Sequence, residues 1–454
     1  MTNATKYKAY PKYKPSGIDW LGDVPEGWEA KRLRYYFDYH AGGVWGDEEN
    51  GNGNNMICFR VADFNFDHFG LTEDDLTVRN IPANQHSRIL EKGDILLEKS
   101  GGGEKQTVGR AVRFDSNVRS VCSNFIEKLT PLGVHNSKYI SYLMGALYFE
   151  TINIRSIKQT TGIQNLDLYS YFCEVVPFPK SEIQQAIADF LDRETAKIDE
   201  MVAKKQKMMG FLKEKRQALI THAVTKGLDP KAKMKPSGID WLGDIPEIWQ
   251  SKKFKYCIKF LTDFTANGSF ADLAKNVTYL DSGYSRIVRL TDLRVNFTND
   301  GIYVDKNAHN YLSKSVIRGG EILLANVGAY TGLAWKVPKI DFIATLGPNM
   351  YLILFNKLMT IDFAYNLLIS DYFTKQFSLY ITSTAQPKLN KDNVKNVLVP
   401  IPPISEQNQI VEYINYESGK TDEMMEKVEM QIEKLQEYRQ ALITNAVTGK
   451  IMVN

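Results

Sequence analysis

Two long segments of the chain carry apolar residues at alternating steps of four and three, the spacing of a helix that packs along one face. In the first segment the seam comprises Ile187, Leu191, Glu194, Ile198, Met201, Lys205, Met208, Leu212, Lys215 and Leu219. In the second segment it comprises Ile410, Ile414, Glu417, Thr421, Met424, Val428, Gln431, Leu435, Tyr438 and Leu442. We predict two long helices, with Ser181 and Ser405 as N-caps.

The charges of these helices favour their pairing with each other. Residues 181–226 contain nine Lys/Arg and seven Asp/Glu, whereas residues 403–450 contain five and nine, so the net charges are +2 and −4. Polar seam positions such as Lys205 and Gln431 also disfavour a homodimer of either helix. The alternative is that each helix lies on its own domain with a solvated outer face.

The two regions that precede the long helices have mixed character. Short strand-like runs bounded by Gly, Asn and Pro occur at Ile57–Val61, Ile95–Glu98, Val108–Phe114, Ile287–Leu290, Ile322–Ala325 and Met350–Leu354. Helical stretches follow at Lys138–Ile152 and Ile361–Tyr380. We therefore predict an α+β fold, with two α/β domains separated by the two long helices.

The chain contains an internal repeat. The run Lys14–Asp23 returns unchanged as Lys235–Asp244, and each copy is followed by Pro, Glu and a Trp. We call residues 14–28 and 235–249 the opening motifs. The helix end Glu214–Thr225 is matched by Glu437–Thr448. This period is too long for a solenoid, and it predicts a pseudo-twofold molecule suited to duplex DNA, which has two half-sites.

The repeat divides the chain into four parts. Residues 1–180 hold the first opening motif and the first α/β domain, and residues 181–226 the first helix. Residues 227–402 hold a linker, the second opening motif and the second domain, and residues 403–454 the second helix and a tail. The domains share only scattered anchors, among them Arg60 and Asp63 against Arg289 and Asp292.

Composition narrows the class of protein only moderately. The chain has 454 residues, of which 43% are hydrophobic and 24% charged, as in ordinary globular proteins. It has no apolar run of about 18 residues, so we expect no membrane helix. It has no secretory signal near Met1, and its four scattered cysteines are typical of buried, reduced thiols, so we expect a cytoplasmic protein. The net charge of +3 is too small to decide for or against DNA binding.

No motif for catalysis is found. The Gly-rich run Lys99–Arg110 lacks the spacing of a phosphate-binding loop, and Gly419–Thr421 lies in mid-helix. An amino-methyltransferase loop of the Asn/Asp-Pro-Pro-Tyr type is absent, the acidic pattern at Asp94–Lys99 is better explained as a strand, and the six histidines have no metal-ligand spacing. We predict a non-catalytic chain that binds no metal or cofactor.

The same Gly-rich run suits contact with DNA, because Gly lets backbone N–H groups approach phosphates and basic or amide side chains bind phosphates or base edges. In the first domain the candidates are Lys99, Ser100, Gly102, Lys105, Arg110, Gln164 and Asn165. In the second domain they are Asn326, Tyr330, Gln386 and Lys388. For each residue the alternative is an ordinary polar surface turn.

Four features of the chain are typical of one known family: the opening motifs, the Gly-Asp-Ile-Leu-Leu run at Gly93–Leu97, the Val-Pro-x-Pro runs and the Arg-Gln-Ala-Leu-Ile-Thr helix ends. In these features the chain resembles the specificity subunits of type I restriction–modification systems. The resemblance covers the whole chain and recurs in both halves. It implies two target recognition domains, each recognising one half of a bipartite site in double-stranded DNA. It also implies that the two helices pack antiparallel as a coiled-coil spacer.

The resemblance further implies partners. Two methyltransferase subunits would dock on the spacer and use S-adenosylmethionine, and two motor/nuclease subunits would bring ATP and Mg²⁺. We assign the subunit interface to parts that both halves keep: Trp20, Trp28, Arg216, Trp241, Trp249 and Arg439. The alternative is that these parts pack on each other. Two other classes of protein are a solitary methyltransferase or nuclease and a scaffold that binds no DNA.

Overall fold

The computed structural model describes residues 7–51, 53–103, 106–160, 162–239, 242–381 and 387–453. It divides into two compact units. Unit 1 comprises Met1–Gln206 and Glu429–Asn454, and unit 2 comprises Lys207–Val428. Each unit therefore contains the recognition domain of one repeat together with parts of both long helices.

Unit 1 is built of short strands around a mixed core. Its strands are β1 (Tyr13–Pro15), β2 (Asp23–Pro25), β3 (Glu29–Arg32), β4 (Phe37–Gly42), β5 (Asn55–Phe59), β6 (Phe64–Asn65), β7 (Gly70–Leu71), β8 (Val78–Asn80), β9 (Ile95–Glu98), β10 (Ser100–Gly101), β11 (Ala111–Arg113), β12 (Ser120–Cys122), β13 (Ile126–Pro131), β14 (Ile157–Thr160), β15 (Ile163–Leu166) and β16 (Val175–Phe178). Its helices are α1 (Ser137–Phe149), α2 (Leu168–Cys173) and the first part of α3 (Ser181–Lys226), with 3-10 turns at Leu33–Tyr36, Val61–Asp63, Ala83–Arg88 and Ile152–Ser156.

Unit 2 repeats this plan. Its strands are β17 (Met234–Pro236), β18 (Asp244–Pro246), β19 (Gln250–Lys253), β20 (Ile258–Asp263), β21 (Ser285–Val288), β22 (Ile302–Val304), β23 (Val316–Ile317), β24 (Ile322–Ala325), β25 (Ala334–Lys336), β26 (Ala344–Leu346), β27 (Met350–Phe355) and β28 (Leu398–Ile401). Its helices are α4 (Phe270–Asn276), α5 (Leu290–Arg294), α6 (Lys306–Tyr311), α7 (Ile361–Ile369), α8 (Asp371–Tyr380), α9 (Lys391–Asn396) and the first part of α10 (Ile404–Val447), with 3-10 turns at Phe254–Tyr256, Phe264–Asn267 and Ser313–Ser315.

The sheets of the two units correspond. An antiparallel sheet of order β11-β9-β13-β4 in unit 1 matches β25-β24-β27-β20 in unit 2. A second sheet pairs β12 parallel to β5, as β26 pairs parallel to β21. The central strands β9 and β24 are buried along their whole length, which explains their run of aliphatic residues. The predicted α+β class with a repeated domain is confirmed.

The two long helices pair antiparallel within each unit. In unit 1, Asp199 of α3 accepts a hydrogen bond from Nε of Arg439 at 2.9 Å, and Lys205 donates to Gln431 at 2.6 Å. In unit 2, Arg216 forms an ion pair with Asp422 at 3.1 Å. The residue numbers of the partners in α10 fall as the residue numbers in α3 rise. This is the antiparallel pattern that the family resemblance implies.

Two parts of the predictions for the long helices are wrong. Met201, Met208 and Met424 are exposed. After Ile198 the packed face of α3 advances by four residues to Val202, not by three to Met201, and it likewise includes Met209 instead of Met208. Ser181 and Ser405 are not N-caps. The carbonyls of Lys180 and Pro403 accept the first helical bonds, and the hydroxyl of Ser181 donates to the carbonyl of Val134 instead.

The predicted helix Ile361–Tyr380 is broken into α7 and α8. Ser370 has an extended backbone (ψ 152°), and its hydroxyl donates to the carbonyl of Leu367 at 2.5 Å. A serine side chain that bonds the local backbone competes with the helix, so the chain turns at this residue. Strand bounds differ from the prediction by a few residues, as for β5, which begins at Asn55 rather than Ile57.

Each opening motif packs on the end of a long helix from the other repeat. Lys450, just after α10, donates to the carbonyl of Leu21 at 2.8 Å. Lys226, at the end of α3, donates to the carbonyl of Leu242, the equivalent residue of the second motif, at 2.6 Å. Both lysines also donate to the carbonyl two residues further on. Each unit is therefore closed by residues from both halves of the sequence.

A tryptophan and a glycine complete each of these contacts. Trp28 and Trp249 are buried, and Gly449 and Gly227 have φ of 73° and 78°. A Cβ on Gly449 would lie 3.0 Å from the ring of Trp28, and one on Gly227 would lie 3.2 Å from the ring of Trp249. Glycine suits both demands, since it ends a helix in the left-handed region and leaves room for the indole.

A buried glutamine ties the start of each long helix to its recognition domain. Gln407 donates to the carbonyls of Leu358 and Pro402 at 2.8 and 3.0 Å and accepts from the N–H of Thr360 at 2.8 Å. Gln184, its equivalent in unit 1, donates to the carbonyl of Pro179 and accepts from a backbone N–H in the same way. Both side chains are fully buried.

We predict that Gln407→Leu lowers the free energy of unfolding by about 2–4 kcal/mol, because it leaves buried backbone groups without partners. Urea unfolding followed by fluorescence measures the loss. Gln409→Leu is the matched control, since Gln409 is exposed in the same turn, and it should change stability by less than about 0.5 kcal/mol. Equal effects of the two variants would contradict this role of Gln407.

Candidate nucleic-acid interface

The structure brings two predicted DNA-contact segments of unit 1 together. Strand β10 of the Gly-rich run pairs antiparallel with β15, so Ser100 faces Asn165 and Gly101 faces Gln164. The hydroxyl of Ser100 donates to Oδ1 of Asn165 at 2.6 Å. Residues more than 60 positions apart thus form one surface at the end of the central strand β9.

Within this surface, Gln164 supports the loop and Asn165 is its exposed neighbour. The side chain of Gln164 is buried, and its Oε1 accepts from the N–H of Val108 at 3.2 Å. Gly102 has φ of 63°, and a Cβ there would lie 3.0 Å from the same oxygen. Because Gly102 fills a position that no side chain fits, its role in the loop is conformational.

The basic residues of this surface are paired with buried carboxylates. Nε of Arg110 donates to Glu98 at 2.9 Å, and Nζ of Lys99 donates to Glu127 at 2.8 Å. His40 lies 2.7 Å from the other oxygen of Glu127. Burial raises the pKa of Glu98, and the Arg110 guanidinium acts in the opposite direction. The positive charges of Lys99 and Arg110 are therefore balanced locally, which leaves them little excess charge for phosphates.

A cavity of about 530 Å³ opens beside this cluster. Its lining combines the partly exposed aromatic rings of Trp45 and Phe125 with polar groups from Arg60, Ser100 and Asn124. Arg79 stacks on the Trp45 ring at 4.7 Å and holds it in place. Aromatic faces beside hydrogen-bonding groups are suited to the edges and faces of nucleic-acid bases.

The corresponding surface of unit 2 has the same frame. The backbone of Val327 forms a bridge with Lys388, and the N–H of Gly328 donates to the carbonyl of Pro387 at 3.0 Å. Val327 and Lys388 therefore lie side by side, as Ser100 and Asn165 do in unit 1. Lys388 is exposed, and Tyr330 is half-buried under the guanidinium of Arg294, 4.9 Å from its ring.

The side chains on this frame differ between the units. Strand register places Ala325 and Asn326 of unit 2 where unit 1 has Glu98 and Lys99. Asn326 is buried, and its Oδ1 has no hydrogen-bond partner among the described residues. Two surfaces with one backbone plan and different polar groups are the arrangement expected of domains that recognise different ligand sequences. Lys105, Trp241 and Gln386 lie outside the described residues.

A protein-family model for the type I restriction modification DNA specificity domain matches residues 25–208 and again residues 246–434. The chain belongs to this family. It is the DNA-recognition subunit of a type I restriction–modification system, with the specificity domain present twice. The prediction of a non-catalytic recognition subunit rather than an enzyme is confirmed by this membership.

Curated relatives of this specificity subunit share its full length. The MjaVIII specificity subunit of Methanocaldococcus jannaschii is 23% identical, and the match covers 95% of this chain and 94% of the relative. The EcoKI specificity subunit of Escherichia coli K12 is 21% identical, with 95% and 90% covered. Such low identity beside such complete coverage is what domains with a common frame and divergent surfaces produce.

A solved structure shares the fold. It comes from work on complex assembly and conformational transition of the type I R-M system, and it matches with a TM-score of 0.65 at 13% identity. The match covers 93% of this chain and 98% of that one. In the described residues, no group of three or more His, Cys, Asp or Glu is placed to hold a metal ion, and no helix is long and apolar enough to span a membrane.

The residues assigned to the subunit interface have partners inside the specificity subunit itself. Trp20 is half-buried and donates to the carbonyl of Val175, while Trp28 and Trp249 are core residues. Arg216 and Arg439 bind aspartates of the opposite helix. These contacts are the internal packing that the sequence leaves open as the alternative, and the contact of these residues with another subunit stays a prediction.

Sequence reasoning missed the partners in these contacts, although a signal was available. Gln184 and Gln407, and likewise Asp199 and Asp422, are separated by the same 223 positions as Arg216 and Arg439. The pairs Arg216–Asp422 and Asp199–Arg439 are therefore one contact made twice. Aligning the two helices at this spacing identifies both aspartates.

We predict that Arg110→Ala destabilises the specificity subunit by about 3 kcal/mol near pH 7, because it leaves Glu98 buried without a cation. The folded protein holds the Glu98 proton more tightly than the unfolded chain does. The loss should therefore be smallest below about pH 4.3, the ordinary pKa of Glu, and grow as the pH rises. Urea unfolding at several pH values measures it.

A second substitution serves as the control. Adding Glu98→Gln to Arg110→Ala removes the unpaired carboxylate and should restore most of the lost stability near pH 7. A stable Arg110→Ala variant with no pH dependence would mean that the pair does not support the fold.

Proposed function

We propose that each unit recognises one half of a bipartite site in double-stranded DNA through the surface at the end of its central strand. The carrying observation is the correspondence between these surfaces, in which Ser100 and Asn165 of unit 1 pair at the same backbone positions as Val327 and Lys388 of unit 2. Exposed amides, hydroxyls and a lysine bind base edges and phosphates, and the differences between the units would supply two different half-site sequences.

We also propose that the paired helices and opening motifs carry two methyltransferase subunits. These are the parts in which the two halves share sequence, so two copies of one partner would find equivalent surfaces. Two motor/nuclease subunits would join this assembly for cleavage. S-adenosylmethionine would be bound by the methyltransferase, and ATP and Mg²⁺ by the motor subunit, with no cofactor in this chain. We place the assembly in the cytoplasm, where it meets DNA.

The first test uses the isolated chain. We expect it to bind duplex DNA with an affinity that falls as salt rises, because phosphate contacts release counterions, and to neither methylate nor cut. Gel shifts on random duplex at two salt concentrations, with methyl transfer and nicking assays on the same preparation, measure these properties.

The other classes of protein give different outcomes. A scaffold would bind no DNA at either salt concentration. A solitary enzyme would transfer methyl groups after mass spectrometry excludes contaminating subunits. Co-expression with the host's methyltransferase subunit should yield a complex of two methyltransferase subunits per chain, and a complex that lacks this subunit would contradict the proposed docking.

We further propose that the long helices set the gap between the half-sites. Helices α3 and α10 have 46 and 44 residues, or roughly 65–70 Å of helix. Because they pair along their length, inserting residues in register into both should lengthen the spacer. The distance between half-sites on one DNA face is about 34 Å or a multiple of it, within the reach of such helices.

Four residues inserted near Lys205 and four near Val428 should lengthen the pair by about 6 Å and rotate its ends by about 40°. The preferred gap should grow by one or two base pairs at about 3.4 Å each, while the half-site sequences stay the same. Long-read sequencing of methylated genomic DNA reports the gap. Insertion into only one helix is the control and should prevent pairing. An unchanged gap in a folded, active double insertion would exclude this role of the helices.

A further inference from the structure

The two divergent recognition domains keep one arginine in the same local structure. Arg60 follows β5 and Arg289 follows β21, and each begins a short helical turn that contains an aspartate three residues later. The backbone N–H of Arg60 donates to Asp63 at 2.7 Å, and that of Arg289 donates to Asp292 at 2.7 Å.

The aspartate also holds one edge of each guanidinium. Nε and Nη2 of Arg60 donate to the two oxygens of Asp63 at 3.2 and 2.7 Å, and Arg289 makes the same pair of bonds to Asp292 at 3.0 and 3.1 Å. The carboxylates are 4% and 0% exposed, whereas the arginine side chains are 37% and 30% exposed. A buried carboxylate thus fixes an arginine whose other edge faces outward.

That outer edge is available for a ligand. Within the described part of the chain, no group accepts a hydrogen bond from Nη1 of Arg60 or of Arg289. The bond to the aspartate raises the pKa of both arginines, so both stay charged. Since the aspartate already holds the side chain in place, a ligand on Nη1 costs little further side-chain entropy.

Arg60 and Arg289 occupy equivalent places in the two units, because β5 and β21 each pair parallel with one strand, β12 or β26. Arg60 lines the cavity of unit 1 together with Ser100 and Asn124. Arg289 lies against Gly347, where a Cβ would be 3.4 Å from Cγ of Arg289. Gly347 follows β26 as Ser123, which also lines the cavity of unit 1, follows β12. The turn that Arg289 begins ends at Arg294, which stacks on Tyr330.

We propose that Arg60 and Arg289 each bind a phosphate of the DNA backbone through Nη1 and so set the position of their recognition domain on its half-site. This inference rests on the proposed recognition of half-sites by the two units. Base contacts must differ between domains that recognise different sequences, whereas the phosphate backbone is common to all half-sites. Both domains keep the arginine together with its supporting aspartate, although the residues around them differ. Such an arginine is suited to bind the phosphate backbone that all half-sites share.

Substitutions at the two arginines test the proposal in the full-length chain. The probe is a duplex of about 40 base pairs that carries the motif found methylated in the host genome, and binding is measured by fluorescence anisotropy over a range of KCl concentrations. Arg60→Gln and Arg289→Gln should each reduce the slope of log affinity against log salt by about 0.9. The affinity that each variant loses relative to the wild type should therefore be about eightfold larger at 0.1 M salt than at 1 M salt. The methylated motif, tested with the partner subunit present, should not change.

A charge-neutral variant separates local contact from net charge. Arg60→Gln combined with Asp63→Asn keeps the net charge of the wild type and leaves no unpaired buried carboxylate, so it also serves if Arg60→Gln fails to fold. It should show the same reduced slope. Arg60→Lys keeps a cation and should retain most of the slope. Arg113→Gln is the matched control, because Arg113 also binds an aspartate, Asp115, through two bonds but lies outside the cavity lining.

The outcomes distinguish this inference from the proposed function. An unchanged slope in folded Arg60→Gln and Arg289→Gln variants would show that the arginines only support their turns. A motif that loses selectivity at one base pair would show base recognition and overturn the phosphate assignment. Wild-type chain that binds no DNA would instead contradict the proposed recognition of half-sites.

Discussion

The contact between the end of each long helix and an opening motif is the constraint on which the units depend. A lysine at the helix end donates to two carbonyls of the motif, and a glycine beside it makes room for a buried tryptophan. In both cases the helix and the motif come from different repeats. Neither half of the sequence can therefore complete its own unit, and folding requires contacts between residues more than 400 positions apart in unit 1.

The balance of charge inside the recognition domains determines how they can bind DNA. In unit 1 the basic residues at the end of β9 are paired with the buried carboxylates of Glu98 and Glu127, and in unit 2 the same positions are neutral. The sequence analysis assigns Lys99 and Arg110 to DNA contact because their acidic partners, Glu127 and Glu98, lie 28 and 12 positions away in the chain. Only the pairing of the strands brings these carboxylates next to the two cations. With these charges compensated, selectivity must come from exposed amides, hydroxyls and aromatic rings. A net charge of only +3 agrees with such a surface.

The predictions succeeded where a signal is local or repeated. Strands β9 and β24 were predicted with their observed bounds because an aliphatic run between turn residues is a local signal. The break at Ser370 was missed because a serine within a helical pattern bonds the backbone only in a particular tertiary setting. The exposed Met201 and Met208 were placed on the helix seam because methionine suits a seam or a surface, and only the partner helix decides between them.

The sequence by itself determined the family, the duplication, the α+β class and the pair of long helices, because each depends on motifs or periodicities that repeat along the chain. Only the tertiary structure decided which segments share a surface. The joining of Ser100 to Asn165, and of Val327 to Lys388, depends on strand pairing between segments about 60 positions apart, which no local pattern specifies. It likewise showed that Arg216 and Arg439 bind the aspartates of the opposite helix, since the antiparallel register aligns residues that are far apart in the chain.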